Sequence, residues 1–126
     1  MTDLASAGVV THILTRDRAA SKAWYMQALG LTLLEDDDYG CALNMNGATL
    51  RITQIDDHQA GQHPVVGWQV ADITATIQAL NTKGVTMTIY EGYGMDAFGV
   101  WSSPDGEAKL AWFADPDGNV LSLSQG

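Results

Sequence analysis

The sequence predicts an α+β fold made of two βαβββ modules, and three observations carry that expectation. First, Asn-Gly-Ala-Thr-Leu-Arg-Ile-Thr-Gln at 46–54 matches Asp-Gly-Asn-Val-Leu-Ser-Leu-Ser-Gln at 117–125, an offset of 71 (125 minus 54). Second, β-branched residues at 9–15 run to Asp17 as those at 65–70 run to Asp72, an offset of 55 (72 minus 17). Third, each Asp leads into residues with helical spacing of apolar side chains that stop at a glycine, Gly30 or Gly84.

In chain order, residues 9–15 are rich in β-branched types and predict a strand. Residues 17–29 predict a helix, with Asp17 at the N-cap and Gly30 at the left-handed position past its end. Strands follow at 31–36, 40–45 and 48–55. Asn46-Gly47 joins the last two, because both residues tolerate positive φ in a tight hairpin. Leu50 and Ile52 then alternate with Thr49, Arg51 and Thr53, the pattern of a half-buried strand. Residues 56–64 are polar and read as a linker. The second module repeats the plan, with strands at 65–71, 86–90, 109–114 and 119–125 and a helix at 72–83 capped by Asp72. It holds 16 more residues than the first (71 minus 55), and they fall in a Gly-rich, aromatic loop at 91–107. A loop of this length in a compact domain suits a binding site, and Tyr93, Phe98 and Trp101 are poor choices for a purely solvated one.

Composition narrows the function. The chain has 126 residues, enough for one domain of two small halves sharing a core. Fifteen acidic and six basic residues give a net charge of -9, which disfavours nucleic acid and anionic membrane surfaces as partners. No apolar run approaches the roughly 20 residues of a membrane helix. Cys41 is the single cysteine, so no intrachain disulfide forms, and a reducing cytoplasm is the expected compartment.

The doubled module, together with Phe113-Ala114-Asp115-Pro116-Asp117-Gly118-Asn119 near its end and Ala23-Trp24-Tyr25 before Leu29-Gly30-Leu31, resembles the vicinal oxygen chelate superfamily. That group includes glyoxalase I, extradiol dioxygenases, and fosfomycin and bleomycin resistance proteins. The resemblance implies a curved mixed sheet from the two modules around a cavity, and a homodimer. It also implies metal ligands on the first and last strands of each module. Carried onto this chain, those positions are Val10 and Val65, Arg51 and Ser122, and none is a usual ligand. The histidines left to serve a metal are His12, on the face of Val10, and His58 and His63 in the linker. The expectation is therefore a chain without a metal or other cofactor.

The resemblance assigns a cavity face to Val10, His12 and Leu14, to Thr49, Arg51 and Thr53, and to Val65, Gly67, Gln69, Val120, Ser122 and Ser124. An even-length turn in each hairpin would add Ala42 and Asn44, and Ala111 and Phe113, while Trp112 would face the helices. The candidate ligand-binding residues are thus Val10, His12, Asn44, Arg51, Val65, Gln69, Trp101, Phe113 and Ser122. Arg51 offers a donor fork for a carboxylate or phosphate, which favours a ligand carrying an acid or carbonyl oxygen, or it pairs with Glu35 or one of Asp36, Asp37 and Asp38. His12 is either an ordinary strand histidine or a proton carrier.

Three functions fit. The first is a glyoxalase/bleomycin resistance-like protein without the usual metal ligands that binds a small, partly apolar molecule. The second is a metal-independent lyase or isomerase of glyoxalase type with His12 and Arg51 as catalytic residues. The third is an interaction or structural homodimer with no small ligand.

Overall fold

A computed structural model describes residues 3–126. The chain divides into two compact units, one ending at His58 and the next beginning at Gln59, so the boundary falls inside the expected linker. The first unit comprises β1 (Val10–Thr15), α1 (Arg18–Gln27), β2 (Thr32–Asp37), β3 (Gly40–Met45) and β4 (Ala48–Gln54). The second comprises β5 (Pro64–Gln69), α2 (Ile73–Asn81), β6 (Trp101–Ser102), β7 (Lys109–Ala114) and β8 (Val120–Gln125). Each forms a four-stranded mixed sheet of the same connectivity, β1-β4-β3-β2 and β5-β8-β7-β6. The first strand runs parallel to the last, and the remaining neighbours are antiparallel. The fold is α+β, as the repeat predicts. Among the described residues, no helix is long and apolar enough to cross a membrane.

The repeated residues do the same work twice. The Asp17 side chain accepts from the Ala20 N–H, and that of Asp72 from the Ala75 N–H. Each satisfies a donor that a helix start leaves without an intrahelical partner. The matching glutamines add a second acceptor. Gln54 Oε1 accepts from the Arg18 N–H at 3.0 Å, and Gln125 Oε1 from the Ile73 N–H at 2.7 Å. The end of each last strand is thereby tied to the start of its helix. Past the helices, Gly30 and Gly84 have φ of 74° and 84°, the left-handed turn expected of them.

Each sheet buries one face beneath its helix. In the first unit, α1 packs on β3 and β4, and Ile13, Tyr25, Leu43, Leu50 and Ile52 are fully buried. In the second, α2 packs on β7 and β8, burying Ile73, Ile77, Phe113, Leu121 and Leu123. At about 1.5–3 kcal/mol for each large apolar side chain taken from water, these faces dominate the stability of each unit. Cys41 belongs to the first core, and its burial raises the thiol pKa. It is an inert packing residue.

The expected strand at 86–90 does not form as a regular strand. The alternation that predicted it is real, since Val85 and Met87 are buried, but the segment lies along β7 without a regular ladder. The Thr88 N–H donates to the Trp112 carbonyl at 2.7 Å. The chain then leaves the sheet edge over residues 91–100 and returns as β6, where Trp101 pairs with Leu110 and Ser102 with Lys109. The edge that β2 fills continuously in the first unit is thus split in the second, and the excursion between its halves builds a wall.

Candidate functional site: an aromatic cavity in the second unit

The face of the second sheet opposite its helix is set by strand register. Trp112 lies opposite Ser122, which lies opposite Gly67; Leu110 lies opposite Ser124, and Ser124 opposite Gln69. Trp101 sits across from Leu110. Trp101, Leu110, Trp112 and Val120 therefore share one face. This reverses the expectation for β7. The first hairpin turns through two residues, Asn46 and Gly47, and puts Ala42 opposite Arg51 and Asn44 opposite Thr49, as expected. The second turns through five residues between Ala114 and Val120, an odd number. One residue of parity moves every side chain to the other face. Phe113 and Ala111 consequently join the helix-side core, where Phe113 stacks on Trp68 at 6.3 Å, and Trp112 takes the open face.

The odd turn has a visible cause. One carboxylate oxygen of buried Asp115 accepts from the backbone N–H groups of Asp117 and Asn119, both at 2.9 Å, and the other from the Asn119 side-chain amide at 2.8 Å. The distinctive Asp-Pro-Asp-Gly-Asn stretch is thus a self-capped turn that sets the register of Trp112.

Two walls rise from this floor and flank an open cavity of about 820 Å³. One wall is the edge excursion, with Tyr90, Tyr93 and Met95. The Tyr90 ring packs at 81° against Trp112, with centroids 5.8 Å apart. Its N–H points at the Met95 sulfur at 3.2 Å. Farther along, the Asp96 carboxylate accepts from the N–H groups of Phe98 and Val100, so the loop is an organised wall. The other wall is the segment Gly61, Gln62, His63 and Pro64. Pro64 lies opposite Val120, and Val65 is skipped in the β5–β8 register, 49% exposed. Pro64 thus takes the lining position that the sequence suggested for Val65.

The lining is mostly apolar and rich in aromatic rings, and it contains no Asp, Glu, Lys or Arg. Its ionisable groups are His63 and the phenols of Tyr90 and Tyr93. Its volume lies in the range of small-molecule sites, about 300–1,000 Å³. Of the candidates read from the sequence, Trp101 lies in this cavity. Ser122 and Gln69 lie on the same strands outside its lining, Ser122 close against Gly67, where a Cβ would meet its hydroxyl. Sequence reading missed Trp112 through turn parity. It weighed His63 only as a histidine left to serve a metal, because a polar linker residue carries no local sign of becoming a wall.

In the first unit Val10 lies opposite Thr49, and His12 opposite Arg51. Arg51 follows the ion-pair alternative, with Nη2 3.6 Å from Asp37 Oδ1. The Tyr39 N–H, chiefly, holds the Asp37 carboxyl below its usual pKa, and Arg51 adds to the effect. Asn44 is engaged as well, its side chain accepting from the Gly47 N–H at 3.1 Å. His12 is exposed, and Val10 is 51% exposed. A smaller cleft of about 430 Å³ runs along α1 to Asp36. There the Lys22 ammonium lies 2.7 Å from the carboxylate, so its charges are already paired.

A divalent cation in the positions implied by the resemblance would need imidazole or carboxylate donors. The residues there do not fit one. Val10 and Val65 are aliphatic, Arg51 is a cation facing Asp37, and Ser122 is a neutral hydroxyl against Gly67. Among the described residues, no group of three or more His, Cys, Asp or Glu side chains is placed to hold a metal ion.

Comparisons with known proteins agree with this architecture. The family model described as Glyoxalase/Bleomycin resistance protein/Dioxygenase superfamily matches residues 8–123. An integron cassette protein from the mobile metagenome of the Halifax Harbour sewage outfall is similar at 18% identity and a TM-score of 0.75, over 96% of this chain and 99% of that one. A lactoylglutathione lyase from Agrobacterium tumefaciens is similar at 14% identity and a TM-score of 0.72, over 96% and 94%. A glyoxalase/bleomycin resistance protein/dioxygenase from Alicyclobacillus acidocaldarius matches at 18% identity and a TM-score of 0.72, over 99% and 94%. At such identities the likeness speaks to fold alone. No curated protein matches the sequence significantly.

Proposed function

Because this chain belongs to the glyoxalase/bleomycin resistance protein/dioxygenase superfamily, we propose that it uses the fold as a metal-independent receptacle for a small, partly apolar molecule. The observation that carries this reading is the cavity of about 820 Å³ floored by Trp101, Leu110 and Trp112. Burying apolar ligand surface there is favourable at roughly 25 cal/mol per Å² before association costs. Aromatic side chains add directional contacts of about 0.5–1.5 kcal/mol each. The poor fit of Val10, Val65, Arg51 and Ser122 to a cation supports metal independence.

The lyase or isomerase alternative draws support from the cross-strand adjacency of His12 and Arg51. Asp37 weakens it, because a guanidinium that already faces a carboxylate is less able to stabilise a developing oxyanion. Binding is therefore the better supported reading. We further propose a homodimer in a reducing cytoplasm. Exposed Leu14, Leu33 and Leu34 in the first unit and the buried, unpaired thiol of Cys41 support these two statements respectively.

The test is calorimetric titration with neutral one- and two-ring aromatic compounds, before and after treatment with a chelator. Saturable binding that survives chelation and falls at least about tenfold in Trp101→Ala is the expected result. Absence of saturable binding by the whole panel, or binding abolished by chelation, would overturn the reading. Sedimentation should give twice the 13.5 kDa chain mass; a particle of single-chain mass would remove the dimer.

A further inference from the structure

We propose that the cavity of the second unit selects planar aromatic cations; this deepens the binding function proposed above and rests on it. Two features of the cavity support the inference, one geometric and one electrostatic.

The geometric feature is the placement of the indoles. Trp101 pairs with Leu110, and Trp112 follows Leu110 by two residues on the same face. The two residues thus hold diagonal cross-strand positions on one face, whose backbone separation is about 7–8 Å. Both indoles belong to the floor of the cavity, so a flat bound ring can lie across two adjacent aromatic surfaces. Tyr90 braces Trp112 from the wall side with its ring at 81°, so that indole is held for stacking. Tyr93 stands 67% exposed in the wall, available to cover a bound ring.

The electrostatic feature is what the lining lacks. It holds no Lys or Arg, so a carboxylate or phosphate placed there would shed its water without an ionic partner. It holds no Asp or Glu either, so the attraction available to a cation is the negative face of four aromatic rings. The net charge of -9 steers the same class of ligand toward the protein. Arg51, the one reason in the sequence to expect an acidic ligand, belongs to the other unit and faces Asp37.

Three ring-matched probes test the inference: N-methylquinolinium, neutral quinoline and quinoline-2-carboxylate. Each is titrated into the intact protein by calorimetry near pH ~8, at about 0.15 M and about 1 M salt, where the screening length falls from about 8 Å to about 3 Å. The cation is expected to bind roughly 2- to 30-fold tighter than quinoline, and the carboxylate at least about tenfold weaker. The preference over quinoline should persist at the higher salt, because ring contacts are short-ranged. It should shrink in Trp112→Leu and in Tyr93→Ala; the latter changes an exposed side chain and leaves the core intact. Equal affinity for cation and neutral ring, or a preference lost at high salt, overturns the cation selectivity while the binding function stands. Tightest binding by the carboxylate overturns it in favour of an anionic ligand. Failure of all three probes to bind overturns this inference, and failure of the wider neutral panel as well overturns the function beneath it.

Discussion

Gly99→Ala probes how the cavity wall is fixed. Gly99 has φ of 89°, and a Cβ built on it would lie 2.6 Å from the Met87 Cβ and 3.3 Å from the Ile89 Cδ1. Met87 is buried, and its Cβ is fixed to the backbone, so it has little freedom to withdraw. The left-handed backbone costs an alanine about 1–2 kcal/mol, and the overpacking about 1–3 kcal/mol more. The sum is roughly 2–5 kcal/mol. Gly94→Ala separates the two costs. Gly94 has φ of 69° with nothing within 4 Å of its built Cβ, so the backbone cost stands alone. Urea unfolding followed by tryptophan fluorescence should place Gly99→Ala below Gly94→Ala by about 1–3 kcal/mol, with unchanged m-values. Equal stabilities within about 0.5 kcal/mol would show that the loop yields freely. The account of an organised wall against Met87 would then be wrong.

Three other outcomes follow from the same geometry. Asp115→Ala strips the acceptors from two backbone N–H groups and the Asn119 amide in a buried turn. It should cost about 3 kcal/mol or more in urea unfolding, and a loss below about 1 kcal/mol would contradict the turn's role. Cys41 is fully buried with its pKa raised by that burial, so an alkylating reagent should leave it unmodified in the native protein and label it in denaturant. Rapid native labelling would contradict the packing. The carboxyls of Asp36, Asp37 and Asp105 are depressed below 3.8, chiefly by hydrogen bonds from Lys22, the Tyr39 N–H and the Ser103 hydroxyl. As pH falls, the unfolded chain takes up these protons first, so their contribution is complete above 3.8 and is lost below it. Melting temperatures should fall across that interval, and less steeply in Asp36→Asn; an unchanged slope in that variant would remove Asp36 from the account.

Much of the fold is legible because local chemistry dictates it. Asp17 and Asp72 cap their own helices a few residues on, and the matching Gln54 and Gln125 mark equivalent strand ends before their role at the helix starts is visible. The face of β4 is equally readable, because Asn46-Gly47 closes a two-residue turn and fixes its parity. The face of β7 is not. Asp117-Gly118 looks like the same turn, but the Asp115 carboxylate gathers the following N–H groups into a five-residue one. Trp112 and Phe113 exchange faces as a result, and with them the floor of the site. The apolar alternation at 86–90 marks burial correctly but does not reveal which residues complete the edge of β7. The wall at His63 arises from contacts distant in sequence, which no local pattern encodes.

The four tryptophans make the cavity directly testable. Trp101 and Trp112 line it, whereas Trp68 stacks on Phe113 and Trp24 packs against Tyr25. Their indole N–H resonances can be followed by nuclear magnetic resonance during titration with N-methylquinolinium or quinoline. Saturable shifts at Trp101 and Trp112, with Trp24 and Trp68 unmoved, are what an occupied cavity requires. Shifts confined to Trp24 and Trp68, or none at saturating probe, would place the binding surface elsewhere or remove it.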